Sequence, residues 1–168
     1  HLRQSEGTAK LIGRQLANRG IEYNLSIQEV KFRSRLSKFI FNWASMALAK
    51  GSQTIAPWLM GCCMRCLRDA LTKESWQGLM SFNPDIIISA GGAISGVNYL
   101  LTEENQAKSI VLMRPANLVL KKFNLVIIPE HDRPVKRKNV VVTEGALNLI
   151  DADYLSQKSK RLEQSNLL

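Results

Sequence analysis

The chain has 168 residues, 45% of them hydrophobic and 22% charged. That composition suits one soluble domain with a real core and argues against both disorder and a string of domains. A formal net charge of +9 points to anionic partners, namely phosphorylated small molecules, nucleic acid or acidic lipid head groups. The three cysteines, Cys62, Cys63 and Cys66, crowd into one segment, which argues against a secreted disulfide framework and fits a reducing, cytoplasmic compartment. No signal-peptide pattern is visible, and the charge-free, aromatic run Gly51 to Met64 is too short to span a bilayer as a helix.

In chain order, residues 1–18 read as a helix, with Leu2, Ala9, Ile12, Leu16 and Ala17 roughly on one face and Gly20 as its stop. An α/β domain normally feeds its first helix from a strand, so a helix at the first residue predicts a missing strand and Gly-rich turn. Residues 21–32 carry a strand signal, in which Tyr23, Leu25, Ile27 and Val30 partly alternate with polar neighbours. Residues 36–49 and 55–71 read as helices, the first apolar over more than half its circumference, the second with Pro57 in its first turn. A short helix over 73–82 ends at Asn83-Pro84.

Four apolar, β-branched runs follow, at 85–89, 109–113, 125–128 and 140–142. Each runs into polar, Gly- or Pro-bearing residues, as buried strands of a parallel sheet do. The fold class is therefore α/β, a Rossmann-like parallel sheet flanked by helices, with ligands expected at the strand ends. Residues 93–104 supply the clearest crossover helix, 116–122 supply one or two helical turns, and 151–166 read as a terminal helix with Asp151 as N-cap. The domain spans 1–150, and 151–168 form a terminal helix or the start of a linker.

The strand ends hold the candidate chemistry. Gly91, Gly92 and Ser95 lie between a strand and a helix, where free N–H groups favour an anion and glycines also permit tight packing. Arg114 follows the next strand and could clamp a phosphate or carboxylate, or simply be solvated. Glu130, His131 and Asp132 share one turn; His131 is a candidate general base, Asp132 equally a turn cap. Thr143 and Glu144 could meet a polar ligand or form the turn into the next helix. His1, Gln4 and Ser5 open the first helix, whose dipole favours anions.

Cys62, Cys63 and Cys66 read as buried thiols, because no second Cys/His pair completes a metal site. No metal or other cofactor is expected. Lys31, Arg33, Arg35 and Lys38 precede a greasy segment containing Trp43 and Trp58, a pattern that suits contact with an anionic membrane surface. Helices covering the sheet, with merely solvated cations, would produce it too, as would a partner domain covering the segment. Nucleic acid is not an expected partner, since no reader motif accompanies the charge.

Four pieces carry a resemblance: His1-x-x-Gln4-Ser5-x-Gly7, Pro84-Asp85-Ile86-Ile87-Ile88-Ser89-Ala90-Gly91, Phe123 through Asp132, and Asn139 through Leu147. Together they resemble the plant mitochondrial-fission (elongated-mitochondria) family and its bacterial relatives, whose architecture looks like the two-domain GT-B glycosyltransferases. Residues 31–82 match poorly. The resemblance implies a preceding strand, and a second Rossmann-like domain that would hold a nucleotide sugar. This chain would then be the acceptor-side half, inactive alone, with His1 at a catalytic or acceptor-binding position. The expected function is transfer of a sugar to a lipid-linked acceptor near a membrane. The alternative is a non-enzymatic GT-B-like scaffold at a membrane surface.

Overall fold

The computed structural model of the chain describes residues 2–50, 57–115 and 120–145, together with Ser156 and Ser159. The side chains of residues 2, 46–50, 57–61 and 93 stand outside that description. Four parallel strands form the centre: β1 (Ile86–Ala90), β2 (Lys108–Leu112), β3 (Leu125–Pro129) and β4 (Val140–Thr143), in that spatial order. Five α-helices accompany them among the described residues: α1 (Leu2–Asn18), α2 (Arg35–Lys50), α3 (Pro57–Ala70), α4 (Lys73–Met80) and α5 (Ser95–Asn105). The four apolar runs are all strands, each within a residue of its expected bounds, and the Rossmann-like α/β class holds.

Parity along the strands divides the core. Ile87, Val111, Val126, Ile128 and Val140 face a large cluster with Phe41, Leu67, Leu71, Val97 and Leu100 from α2, α3 and α5. The alternate residues, Ile88, Ala90, Ile110, Leu112, Leu125 and Ile127, face Ile12 of α1. Successive side chains of a strand point to opposite faces, so a fully buried strand must be apolar at nearly every position.

Asparagines lock the sheet from below and behind. Asn98 of α5, 1% exposed, donates from Nδ2 toward Ile87 O (3.1 Å), Ser89 Oγ (3.0 Å) and Ile110 O (3.3 Å). Its Oδ1 accepts from Thr102 Oγ1 at 3.3 Å. Asn124, just before β3, accepts from Ser109 N and Ser109 Oγ while its own N–H donates to Ser109 Oγ. Asn139, just before β4, donates to Leu120 O and Phe123 O, both at 2.8 Å. These bonds give the buried hydroxyls of Ser89, Thr102 and Ser109 partners inside the fold and add a second bond to strand carbonyls.

The strand expected at 21–32 does not form. The segment is an extended strap whose single β-bridge pairs Phe32 with Leu71. Tyr23 lies over Gly13 of α1 and Gln28 over Gly78 of α4. Lys31 N donates to Ser75 Oγ, which donates to Glu29 O, and Thr72 N donates to Lys31 O. The strap's backbone groups are thus spent on helix ends rather than on a sheet edge, and Ile21, Tyr23, Leu25 and Ile27 remain about half exposed. Alternation alone cannot make a strand without a neighbouring ladder.

Two smaller expectations also change. Of the predicted helical turns at 116–122, the described part is a single 3-10 turn at Leu120–Lys122. Cys62 is exposed, whereas Cys63 is buried and Cys66 half-buried. Adjacent helical residues point about 100° apart, so only Cys63, in line with Leu67 and Ala70, reaches the core. The terminal helix expected at 151–166 lies outside the described residues apart from Ser156 and Ser159, both helical.

Candidate functional site

Because β1 to β4 are parallel, the residues that follow them all emerge along one edge of the sheet. There stand Gly91-Gly92, Met113-Arg114, the 3-10 turn Glu130–Asp132, and Thr143-Glu144-Gly145. This edge brings together most of the residues singled out from sequence.

Gly91 takes φ 98° and ψ 139°, a conformation that side-chain-bearing residues avoid. Its N–H extends the ladder to Leu112 O at 3.1 Å, and the chain then turns through Gly92–Ile94 into α5. No side chain caps the start of α5. Ser95 does not present its hydroxyl to a ligand: it is 0% exposed and donates to Gly92 O at 2.6 Å. Gly96 serves packing, since a Cβ there would stand 2.6 Å from Ser45 Oγ and 3.3 Å from Phe41. Packing, one of the two roles weighed for this glycine-rich turn, therefore has a residue of its own in Gly96.

Arg114 is exposed and has no ion pair among the described residues. The residue before it escaped the sequence reading. Met113 adopts φ 72°, the left-handed region rarely used by non-glycine residues, and its N–H bonds Ile127 O at 2.8 Å. Strain of this kind costs roughly 1–3 kcal/mol and concentrates at ligand-binding turns. The kink re-aims Arg114 away from the line of β2, and composition gives no signal for it.

Glu130 and His131 are exposed, and Asp132 is half-buried. His131 Nε2 lies 3.7 Å from Asp132 Oδ1, too long for the hydrogen bond that would fix a tautomer. Arg133 closes the turn at φ 46° with its N–H on Glu130 O. Thr143 Oγ1 donates to Gly145 O at 2.7 Å, and Glu144 is exposed. The edge thus offers Arg114 and Arg133 beside the carboxylates of Glu130, Asp132 and Glu144, an arrangement suited to a polar ligand bearing phosphate and hydroxyl groups rather than an apolar one.

Gln4 and Ser5 sit half-buried in the first turns of α1, the helix that packs on β1. Gln4 Oε1 is buried without a hydrogen-bond partner. His1 lies outside the described residues. Among the described residues, no group of three His, Cys, Asp or Glu side chains could hold a metal ion.

The basic and aromatic residues gather elsewhere. Lys31 pairs with Glu29 at 3.0 Å, and Arg33 Nε is held on Leu71 O at 2.7 Å. Lys38 lies 5.9 Å over the Phe32 ring, Arg35 is exposed, and Trp43 is 64% exposed. The Trp58 side chain lies outside the described residues. No helix among the described residues is long and apolar enough to cross a membrane.

A family model described as Mitochondrial fission ELM1 matches residues 1–166 of the chain. No curated protein and no solved structure matches it.

Proposed function

Because the chain belongs to the mitochondrial fission ELM1 family, we propose that it is the acceptor-side domain of a GT-B-type, nucleotide-sugar-dependent glycosyltransferase working near a membrane surface. The observation that carries this reading is the shared edge of the four parallel strands, where unpaired Arg114 and the Gly91-Gly92 turn stand together. Arg114 and the turn would hold the phosphate of a lipid-linked acceptor, and Glu130, Asp132, Thr143 and Glu144 its hydroxyls. A base near the acceptor hydroxyl completes the chemistry; His1 and His131 are the candidates. A second Rossmann-like domain would supply the nucleotide sugar.

The test uses a short-chain prenyl phosphate and backbone amide NMR. Perturbed amides should cluster at Gly91, Gly92, Arg114 and Glu130–Asp132, and vanish with Arg114→Gln. Absence of saturable perturbations on this edge would overturn the acceptor-site reading.

A second reading, a non-enzymatic scaffold at a membrane surface, is favoured by two observations. His131 is largely solvent-exposed and lacks an orienting hydrogen bond, and α2 carries an apolar solvent-facing surface that the transfer chemistry does not use. A scaffold predicts vesicle or partner binding with no turnover of any nucleotide diphosphate sugar by the two-domain protein.

A further inference from the structure

α2 has two apolar faces. One is inside, where Phe41 and Ser45, 1% and 2% exposed, press on α5 at Gly96. The other is outside: Leu36, Phe39, Ile40 and Trp43 are 67%, 69%, 50% and 64% exposed. Their spacing of three, one and three residues puts them on one side of the helix, two turns long. Scattered exposed hydrophobics need no explanation, but a contiguous stripe of four large ones marks an interaction surface.

Charge selects the occupant. The sequence of α2 holds Arg35, Lys38 and Lys50 and no acidic residue. The acids nearest in sequence, Glu29 and Asp69, are each paired with their own cation. A second copy of the chain would therefore set cation against cation, with nothing on either helix to neutralise them. An anionic bilayer supplies both what the stripe lacks, an apolar phase, and what the cations lack, phosphates.

We infer that α2 lies in the plane of an anionic lipid surface, with Leu36, Phe39, Ile40 and Trp43 among the acyl chains and Arg35, at the flank of the stripe, at the head-group phosphates; Lys38 is turned inward over Phe32. This rests on the membrane-surface reading above and narrows it to one helix face. Lys31 and Arg33 take no part, being held by Glu29 and Leu71. The geometry is that of a helix embedded to the head-group boundary rather than a span.

The test is flotation of the 168-residue chain with vesicles of phosphatidylcholine alone or mixed with phosphatidylserine, with folding checked by circular dichroism. Binding should appear on the mixed vesicles, and Phe39→Ser/Trp43→Ser should lower it by roughly tenfold or more. Arg35→Gln should lower it about fivefold, whereas Lys38→Gln, which removes a cation lying over Phe32, should lower it much less. Tryptophan quenching by brominated lipid should shrink in Trp43→Phe. Wild-type binding that survives Phe39→Ser/Trp43→Ser overturns the assignment to α2 while leaving the membrane reading intact. Equal binding to neutral vesicles overturns the charge argument. No binding to either vesicle removes the membrane reading itself, and concentration-dependent self-association lost in the same double variant would assign the stripe to a second copy.

Discussion

Asn98 is the buried polar residue that joins α5 to β1 and β2, and its removal should be costly. Its Nδ2 group lies within 3.3 Å of two strand carbonyls and one hydroxyl, and its Oδ1 receives a second hydroxyl. The pairing of Ile87 with Ser109 and of Ile88 with Ile110 leaves Ile87 O and Ile110 O each with a ladder N–H even after Asn98 is cut back. Ser89 Oγ and Thr102 Oγ1 have no such reserve, and both residues are buried, at 6% and 7% exposure. Two stranded hydroxyls at about 1 kcal/mol each, plus the net value of the lost bonds, make Asn98→Ala cost roughly 3 kcal/mol. For a chain of this size that is a fall in Tm of about 6–12 °C. Asn105→Ala, on the same helix, is the control: its side-chain bond from Nδ2 to Leu101 O, at 2.7 Å, is half-exposed and should be worth under about 1 kcal/mol. Urea titration followed by circular dichroism measures both. If Asn98→Ala shifts stability no more than Asn105→Ala, the buried hub is not what holds α5 to β1 and β2.

Gly96→Ala should destabilise the domain by about 1–3 kcal/mol in the same assay, because the new methyl meets Ser45 and Phe41 at 2.6–3.3 Å. Tyr99, 3% exposed, has its phenol pushed up to about 12 by burial first and then by Glu103 and Cys63. A folded value above the ordinary 10 gives stabilisation that is complete below pH 10 and lost as pH rises toward about 12. Tyr99→Phe should therefore flatten that alkaline limb, and tyrosinate absorbance should show one phenol titrating late. Burial and neighbouring cysteines raise the Cys63 thiol, and burial with Asp69 raises Cys66, so a disulfide reagent at mild alkaline pH should modify Cys62 quickly and the other two slowly. Equal rates for all three would place Cys63 outside the core.

What could be read from sequence followed a physical rule. Central strands covered on both faces must be apolar at almost every position, so β2 and β3 stood out as runs; the edge strands β1 and β4 share the pattern although Ile86, Val141 and Val142 are exposed, and parallel order put the residues after all four on one edge. The strap at 21–33 alternates like a strand, yet pairing is a tertiary property, and its N–H and C=O groups found Ser75, Ala70 and Leu71 instead. Met113 was invisible because a left-handed backbone at a methionine leaves no trace in composition. The aromatic character of α2 was plain, but a helix apolar on two sides does not say which side faces out.

Gly96 decides that. Only a residue without a Cβ lets α2 approach α5 closely enough for Phe41 and Ser45 to bury themselves, and once they do, Leu36, Phe39, Ile40 and Trp43 have nowhere to point but outward. The same α5 begins immediately after the Gly91-Gly92 turn. The contact that orients the proposed lipid face, at Gly96, therefore lies only four residues along the chain from Gly92 of the turn that opens the proposed phosphate site. An acceptor tethered by its lipid tail to the bilayer under α2 would need its phosphate within reach of the surface. The lipid face and the strand-end edge are thus geometrically one proposition: a Gly96→Leu variant, by displacing α2, should weaken vesicle binding and prenyl phosphate binding together, whereas Phe39→Ser/Trp43→Ser should weaken the first and spare the second.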